Sequence, residues 1–147
     1  MNTIYSSVTI RDRDVSLTFY FRITKPETVF VRPVVIVQGT TFVGLESCEY
    51  LPMLASSFSR LDFRLDTPSR TVASGTTVPN FSIESEWKYD EIRERVVLKC
   101  WMLVGPYIAN ETEVETGTEF GVKLDVTRRD ISKLMSDTAD VFAAYDQ

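Results

Sequence analysis

Two glutamates, Glu84 and Glu86, stand two residues apart, which is the spacing that places both carboxylates on the same face of a β-strand. A carboxylate pair can perform acid–base catalysis when one member is shielded from water beside a substrate pocket. Here Ser82 and Lys88 fall on the same face, which is typical of a solvated surface. We therefore predict that this pair is not catalytic.

A second group of carboxylates, Glu111, Glu113, Glu115 and Glu119, offers only oxygen ligands, which calcium and magnesium prefer. Their spacing matches no EF-hand loop, so we expect a solvated acidic loop and no metal site. The chain contains no histidine, which excludes Ser-His and Cys-His catalysis and imidazole ligands for zinc. Its 6 glycines are scattered and form no phosphate-binding loop. We predict a protein that is not an enzyme and uses no cofactor or metal.

The two cysteines, Cys48 and Cys100, are far apart and fit no metal-binding or redox spacing. We expect both to be reduced, buried and small apolar side chains, as is usual in the cytosol. A disulfide between them is the alternative, and it would require an oxidising compartment. The residues after Met1 are polar and do not resemble a signal peptide, and no run of about 18 apolar residues is present. We expect a cytoplasmic protein without a membrane span.

Charge is distributed unevenly along the 147 residues, whose net charge is −5. Residues 1–75 contain 8 basic and 7 acidic residues, whereas residues 76–147 contain 8 basic and 14 acidic ones. Such an excess can serve solubility alone, or it can form a docking surface that attracts and orients a basic protein partner. The acidic residues that would form this surface are Glu84, Glu86, Asp90, Glu91, Glu94, Glu111, Glu113, Glu115 and Glu119. Aromatic anchors for it, or core residues, are Trp87, Tyr89, Trp101 and Tyr107. Net acidity argues against direct nucleic-acid binding, which needs clustered Lys and Arg.

The first third of the chain shows the period-two alternation of β-strands. Three strands are predicted, at 4–10, 15–23 and Thr28–Val37. In the second of them the apolar residues alternate with polar ones, so that Phe19 and Tyr20 point to opposite faces. Pro33 has no N–H to donate, which favours an edge position or a bulge for the third strand.

The middle of the chain predicts one helix followed by further strands. Residues 47–61 place apolar side chains at helical spacing, and Pro52, tolerated only in a first turn, sets the regular start near Tyr50 or Leu51. The strands that follow are predicted at 63–65, 71–73, Phe81–Tyr89, 95–104 and 119–126. The run 95–104 is apolar on both faces apart from Lys99, which predicts a central strand covered on both sides and ended by Gly105 and Pro106.

A second helix is predicted from Thr127 to the last residues. Thr127 and Asp130 have the spacing of a capping box. Its apolar stripe consists of Ile131, Leu134, Met135, Thr138, Val141, Phe142 and Tyr145, which must be buried against a sheet. The predicted fold is α+β: one domain, 1–147, with a mostly antiparallel twisted sheet of about six or seven strands, a mid-chain helix, and a C-terminal helix packed on the sheet.

The order of these elements resembles that of a known family. An aromatic-Val-Gly step at Phe42-Val43-Gly44 precedes a helix with Leu51, Leu54, Phe58 and Leu61. Strands ending in VVLKCWMLV follow, and a last strand, FGVKLDV, leads directly into a helix with Leu134, Thr138 and Phe142. Over residues 15–145 this pattern is similar to the WapI-type immunity proteins of bacterial polymorphic toxin systems. The resemblance implies a cytosolic, non-enzymatic protein that neutralises a cognate toxin, and it carries over no individual site residue.

The sequence thus predicts a protein-binding module, an immunity protein that occludes a toxin domain with a basic surface. Two alternatives stay open. A small molecule or lipid could bind in a cavity between a curved sheet and the C-terminal helix, lined by Phe19, Phe21, Trp87, Trp101 and Phe142. A phage-type inhibitor could instead present its carboxylates as a mimic of nucleic-acid phosphates. The oligomeric state is left open.

Overall fold

A computed structural model describes residues 3–24, 28–59, 69–73, 81–89, 94–109 and 115–145. The strands are β1 (Thr3–Asp12), β2 (Val15–Thr24), β3 (Thr28–Val37), β4 (Thr40–Val43), β5 (Ser47–Tyr50), β6 (Ser69–Ala73), β7 (Phe81–Tyr89), β8 (Glu94–Ala109) and β9 (Glu115–Val126). The helices are α1 (Leu51–Ser59) and α2 (Arg128–Tyr145). The α+β class is confirmed, as are the mid-chain helix and the C-terminal helix. The strands form two antiparallel sheets, whereas the sequence predicted one.

Sheet A contains β1 to β5, and its three long strands are joined in chain order. The period-two pattern correctly predicted these strands, because every second side chain enters the core. The buried residues of β1–β3 include Val8, Ile10, Leu17, Phe19, Phe21, Ile23, Val29, Val31 and Val35. In the turn between β3 and β4, Gln38 and Gly39 have positive φ angles of 48° and 85°. This left-handed pair matches the twist of a tight hairpin.

Pro33 lies within β3, where its missing N–H leaves no gap in the hydrogen bonding. On one side β3 pairs along its whole length with β2, and on the other it pairs with β4 from Val34 onward and with β5 up to Val31. Pro33 thus lies at the junction between two short strands. Its carbonyl accepts a 2.8 Å hydrogen bond from the N–H of Gly44. In an antiparallel strand the N and O of one residue point to the same side, so the proline nitrogen also faces this junction.

Residues 47–50 form strand β5, and the prediction of a helix beginning at Ser47 was wrong there. Ser47 and Glu49 point into the core, where they are 4% and 5% exposed, while Cys48 and Tyr50 are exposed. The buried positions of this strand are therefore polar, which hides the alternation that reveals a strand. The expected start of the regular helix near Leu51 is confirmed.

Sheet B has the order β6-β7-β8-β9, so β8 is central, as predicted. The strand does not end at Gly105 and Pro106 but continues to Ala109, and a register shift between Val104 and Ile108 absorbs the irregularity. Only one of its faces is fully buried between Val96 and Met102. Val97, Lys99 and Trp101 on the other face are partly exposed, so the expectation of cover on both sides was wrong.

Helix α2 begins at the predicted capping box. The N–H of Asp130 donates to Thr127 Oγ1 at 3.1 Å, and the N–H of Thr127 donates to Asp130 Oδ2 at 3.0 Å. The stripe predicted from the sequence is buried at Ile131, Leu134, Thr138, Val141 and Phe142. It packs along β1 and against α1. Among the described helices, neither has the length and apolar content needed to cross a membrane. The predicted strand at 63–65 lies outside the described residues.

The two sheets and both helices share one hydrophobic core. Phe19 of sheet A contacts Phe81 of sheet B, with ring centroids 5.6 Å apart. The main chain of Leu45 donates to the carbonyl of Leu103 at 2.9 Å, and the N–H of Asp125 donates to Asp12 Oδ2 at the same distance. These contacts connect the end of β1 to β9 and the segment after β4 to β8. They leave the opposite face of sheet A outside the core.

Candidate functional site

The outward face of sheet A, hereafter the sheet A face, consists of the alternate residues of β1–β5 that point away from the core. The described residues include six large apolar side chains that are exposed, and five of them lie on this face: Tyr5, Tyr20, Ile36, Val43 and Tyr50. Only Met53, on α1, lies elsewhere. Concentration of exposed apolar side chains on one face is typical of an interaction surface.

Strand register sets the arrangement of this face. Tyr5, Arg22 and Phe30 are direct neighbours across β1, β2 and β3, and the next row contains Ser7, Tyr20 and Arg32. Directly paired side chains lie about 5 Å apart at Cβ. The pairing therefore joins residues that are 8 to 17 positions apart in sequence and arranges them in two adjacent rows.

These two rows border an open groove with a volume of about 410 Å³. Its lining includes Tyr5, Tyr20, Arg22, Phe30, Arg32 and Glu46. Tyr5 is 74% exposed and Tyr20 is 51% exposed, so their rings form projecting walls and not a floor. The groove thus combines aromatic walls with two guanidinium groups.

The guanidinium of Arg22 is held in place by two contacts. Its central carbon lies 3.9 Å from the centroid of the Phe30 ring, a cation–π arrangement. Its Nη2 donates to Glu46 Oε1 at 3.2 Å, and both side chains are 36% exposed. An ion pair this exposed contributes little to stability, at most about 1 kcal/mol. Its main consequence is orientation, because the planar group is fixed on the aromatic ring at one side and on the carboxylate at one edge.

The charge of the sheet A face is basic although the whole chain is acidic. Within strands β1 to β5 of sheet A, every charged residue at an outward position is an arginine: Arg11, Arg22 and Arg32. Arg32 is exposed and makes no ion pair with any residue that the structure describes. The acidic residues Asp12 and Glu49 of the same strands point inward. A near-neutral count over residues 1–75 therefore conceals a basic surface.

The predicted acidic residues of sheet B lie in mixed surroundings where they are described. Glu84 is partly exposed, and the register places it between Arg70 of β6 and Lys99 of β8. Lys123 follows Lys99 in the same row. Glu86 stands opposite Val97. The row that contains Glu84 therefore combines one carboxylate with three basic residues, and the interpretation of Glu84 and Glu86 as a solvated, non-catalytic pair stays a prediction.

The other predicted acidic positions fall at separate places. Glu94 begins β8, whereas Glu115 pairs with Ala109 at the far end of the same strand, and Glu119 pairs with Leu103. The two ends of the 16-residue strand β8 are about 50 Å apart if the strand is fully extended. Glu94 and Glu115 therefore lie at opposite ends of this strand. Asp90, Glu91, Glu111 and Glu113 lie outside the described residues, and an acidic docking surface stays a prediction.

The aromatic and cysteine side chains that the sequence indicated differ in burial where they are described. Trp101 lies on the outward face of sheet B and is partly exposed, while the side chains of Trp87, Tyr89 and Tyr107 lie outside the described part of the structure. Both cysteines are free thiols. Cys100 is buried, as expected, and burial raises the pKa of its thiol to about 12. Cys48 is exposed, so the prediction that it is buried was wrong.

Aromatic rings fill the space where a ligand cavity was the alternative. Phe21 contacts both Phe58 and Phe142, with centroid distances of 6.0 and 5.4 Å, and Phe58 contacts Phe142 at 6.2 Å. Phe19 adds an edge-to-face contact with Phe58 at 5.6 Å. These residues lie between sheet A and the two helices and pack on one another. Trp101, also proposed as a lining residue, faces the other way.

No protein-family model, curated protein or solved structure matches this chain. Within the described residues, no group of three or more Cys, Asp or Glu side chains is arranged to hold a metal ion. The feature that best fits a function is the sheet A face, with its exposed tyrosines and oriented arginine. The alternation of the second strand already separated Tyr20 from the face that carries Phe19, but only the register reveals that Arg32 lies directly beside Tyr20 and Tyr5 diagonally across from it.

Proposed function

We propose that this protein is a non-enzymatic binding module that docks onto another protein through the sheet A face. The observation that carries this proposal is the grouping of exposed Tyr5 and Tyr20 around Arg22 and Arg32. Tyrosine and arginine dominate the energetics of protein interfaces, because each combines a large contact area with directed hydrogen bonds. A single folded domain with such a face can inhibit its partner simply by covering it.

The composition around the groove favours a protein over a small ligand. Beyond the groove, the same face continues through rows of threonine and aliphatic side chains, among them Val34, Ile36 and Val43. This gives an apolar area next to the aromatic and basic one. A small molecule would cover only the groove, whereas a protein surface would also bury these side chains.

We propose further that the partner is a bacterial toxin and that this protein acts as its immunity protein. The support for this more specific proposal is the similarity in element order to the WapI-type immunity proteins. Inhibition would then be by occlusion, with no chemical change in either protein.

The test uses the product of a toxin-like gene next to the gene for this protein. We expect co-expression to restore growth of cells that produce the toxin, and the two purified proteins to form a complex. Tyr5→Ala and Tyr20→Ala should each raise the dissociation constant by roughly 30-fold, as expected for an interface hot spot. Met53→Ala removes an exposed apolar side chain outside the sheet A face and serves as the control.

The proposal also predicts which amides the partner protects from hydrogen exchange. Protection should appear in β1, β2 and β3, whose outward residues border the groove of the sheet A face. Full affinity in the Tyr5→Ala and Tyr20→Ala variants, together with protection confined to sheet B, would place binding elsewhere and contradict the proposal.

A further inference from the structure

We infer that the groove between Arg22 and Arg32 is a carboxylate-binding subsite, and that its occupant is an aspartate or glutamate side chain of an acidic protein segment. This inference rests on the proposed function and specifies the partner's chemistry. The sheet A face would thus recognise an acidic part of the partner, whereas the sequence alone indicated a basic one.

Arg22 is already oriented for such a contact. Phe30 supports one face of the guanidinium, and the described residues supply a single hydrogen-bond acceptor, Glu46 Oε1, which occupies Nη2. A guanidinium has five N–H donors in a planar fork, so donors remain for a second carboxylate. Because the group is held before binding, little side-chain entropy is lost when the carboxylate arrives.

Arg32 supplies the second positive charge. It pairs in register with Tyr20, while Arg22 pairs with Phe30, so the two arginines are diagonal neighbours on β2 and β3. Diagonal neighbours in an antiparallel pair lie about 7–8 Å apart, within the reach of two long side chains that converge on one carboxylate. The absence of an ion pair to Arg32 within the described residues leaves its charge available.

The tyrosines determine which kind of side chain must lie next to the carboxylate in the partner. Tyr5 and Tyr20 are diagonal neighbours on β1 and β2 that border the groove, where each exposed ring offers an apolar surface and a hydroxyl donor. An acidic side chain next to an apolar one in the partner would satisfy both the arginines and the rings. Partial removal of water by these rings also strengthens the charge-assisted hydrogen bonds.

A nucleic acid fits the same face less well. Tight binding to a phosphate backbone uses many basic contacts, commonly about 6–10, whereas the outward strand positions provide three arginines. The net charge of −5 repels a polyanion. Outside the groove the face consists largely of threonine, valine and isoleucine, which cannot stack on bases, and its one further exposed aromatic ring among the described residues is that of Tyr50. A single carboxylate within a protein surface needs only the local pair of arginines.

The experiment selects dodecapeptides that bind the folded protein from a random display library. Peptides that also bind the double variant Arg22→Ala/Arg32→Ala are then removed. We expect the selected peptides to contain Asp or Glu beside an aromatic or aliphatic residue. In a synthetic peptide, changing the Asp to Asn or the Glu to Gln should weaken binding about 10-fold or more. This is the loss expected for a buried hydrogen bond to a charged group. Arg32→Lys should restore only part of the affinity, since it keeps the charge but not the fork.

Arg129→Ala removes an exposed arginine from α2 and is the matched control, which should bind the peptides as the wild type does. Glu46→Gln removes the negative charge beside Arg22 and keeps an oxygen that can accept its hydrogen bond, and we expect it to change peptide affinity less than Arg32→Ala does. Selected peptides without carboxylates that still require Tyr20 would overturn the subsite and leave the proposed function standing. If the Tyr20→Ala variant binds every selected peptide as the wild type does, both the carboxylate subsite and the proposed function are contradicted. Competition by a thymidine oligonucleotide would assign the subsite to phosphate instead.

Discussion

The rings of Phe42 and Phe120 are stacked with centroids 4.1 Å apart and an interplanar angle of 14°, and they belong to different sheets. Phe42 lies on β4 and Phe120 on β9, so the pair connects sheet A to sheet B near the edge of the shared core. Neither side chain is completely buried, and both pack against the cluster of buried residues. This contact should therefore stabilise the packing of sheet A against sheet B, in addition to burying apolar surface.

We predict that Phe42→Ala and Phe120→Ala each lower the free energy of unfolding, and that the double variant loses less than the sum. The coupling should be about 0.5–1.5 kcal/mol, the usual value for an aromatic pair beyond its buried area. Urea titration of the four proteins measures this cycle directly. Tyr20→Ala, which removes an exposed ring from the sheet A face, should change stability much less. Strict additivity of the two substitutions would contradict the contact.

Gly44→Ala should destabilise the fold because a side chain has no room there. A Cβ at Gly44 would lie 2.7 Å from Pro33 Cγ and 3.1 Å from Met102 Sδ. The strand junction would have to move, at a cost of about 1–3 kcal/mol. Gly121→Ala is the control, since its Cβ would meet only the Cys100 carbonyl at 4.0 Å. Equal unfolding midpoints for the two variants in urea would show that the approach of Gly44 to Pro33 is not restrictive.

Thr127→Ala should weaken α2 by removing half of the reciprocal cap. Loss of the hydroxyl leaves the N–H of Asp130 without its acceptor, which costs about 0.5–2 kcal/mol. Thr127→Ser keeps the hydroxyl and should stay within a few tenths of a kcal/mol of the wild type, an order-of-magnitude estimate. Thermal and urea denaturation followed by circular dichroism compare the three proteins. A serine variant as unstable as the alanine variant would exclude the hydrogen bond as the cause.

The two thiols should differ in reactivity. Cys48 is exposed, whereas Cys100 is buried and its pKa is raised to about 12 because burial disfavours the thiolate. Iodoacetamide should therefore modify one cysteine in the native protein and both in urea, as counted by mass spectrometry. In Cys48→Ser no cysteine should react under native conditions. Rapid modification of Cys100 in the folded protein would contradict its burial.

The same burial makes stability depend on alkaline pH. In the unfolded chain the Cys100 thiol has a pKa near 9.0, and in the folded protein the pKa is about 12. Above 9.0 the unfolded state loses the proton while the folded state keeps it, so unfolding becomes more favourable as the pH rises. The loss should approach about 1.4 kcal/mol per pH unit between the two values. Urea titrations at several pH values should compare Cys48→Ser with the double variant Cys48→Ser/Cys100→Ala, in which this loss is absent. If the unfolding free energies of the two proteins change in parallel with pH, Cys100 does not cause the loss.

Sequence periodicity predicted the long strands and the C-terminal helix because each of them buries one face. β2 and β7 show this alternation clearly, and α2 begins at a cap whose two residues are three positions apart. β5 escaped prediction because its buried side chains are Ser47 and Glu49. The extension of β8 past Pro106 was not predicted, because the register shift that accommodates the proline cannot be recognised in the sequence.

The candidate site was harder to predict for a different reason. Counting charges along the chain combined the outward Arg11, Arg22 and Arg32 with acidic residues that point inward or lie in loops. Only strand register separates the two groups, and register depends on which hairpins form. The pairing of Tyr20 with Arg32 therefore had no signal of its own in the sequence.

The hydrogen bond from the Asp125 main chain to Asp12 connects residues 113 positions apart. Sheet A is built from successive hairpins, so it can form while the ribosome is still translating the rest of the chain. Translation at about 5–20 residues per second delays the arrival of β9 by on the order of ten seconds. During that interval the edge of β1 has neither β9 nor α2 beside it, and an open strand edge readily pairs with other chains. Newly made protein should therefore be most vulnerable to aggregation just before β9 and α2 are completed.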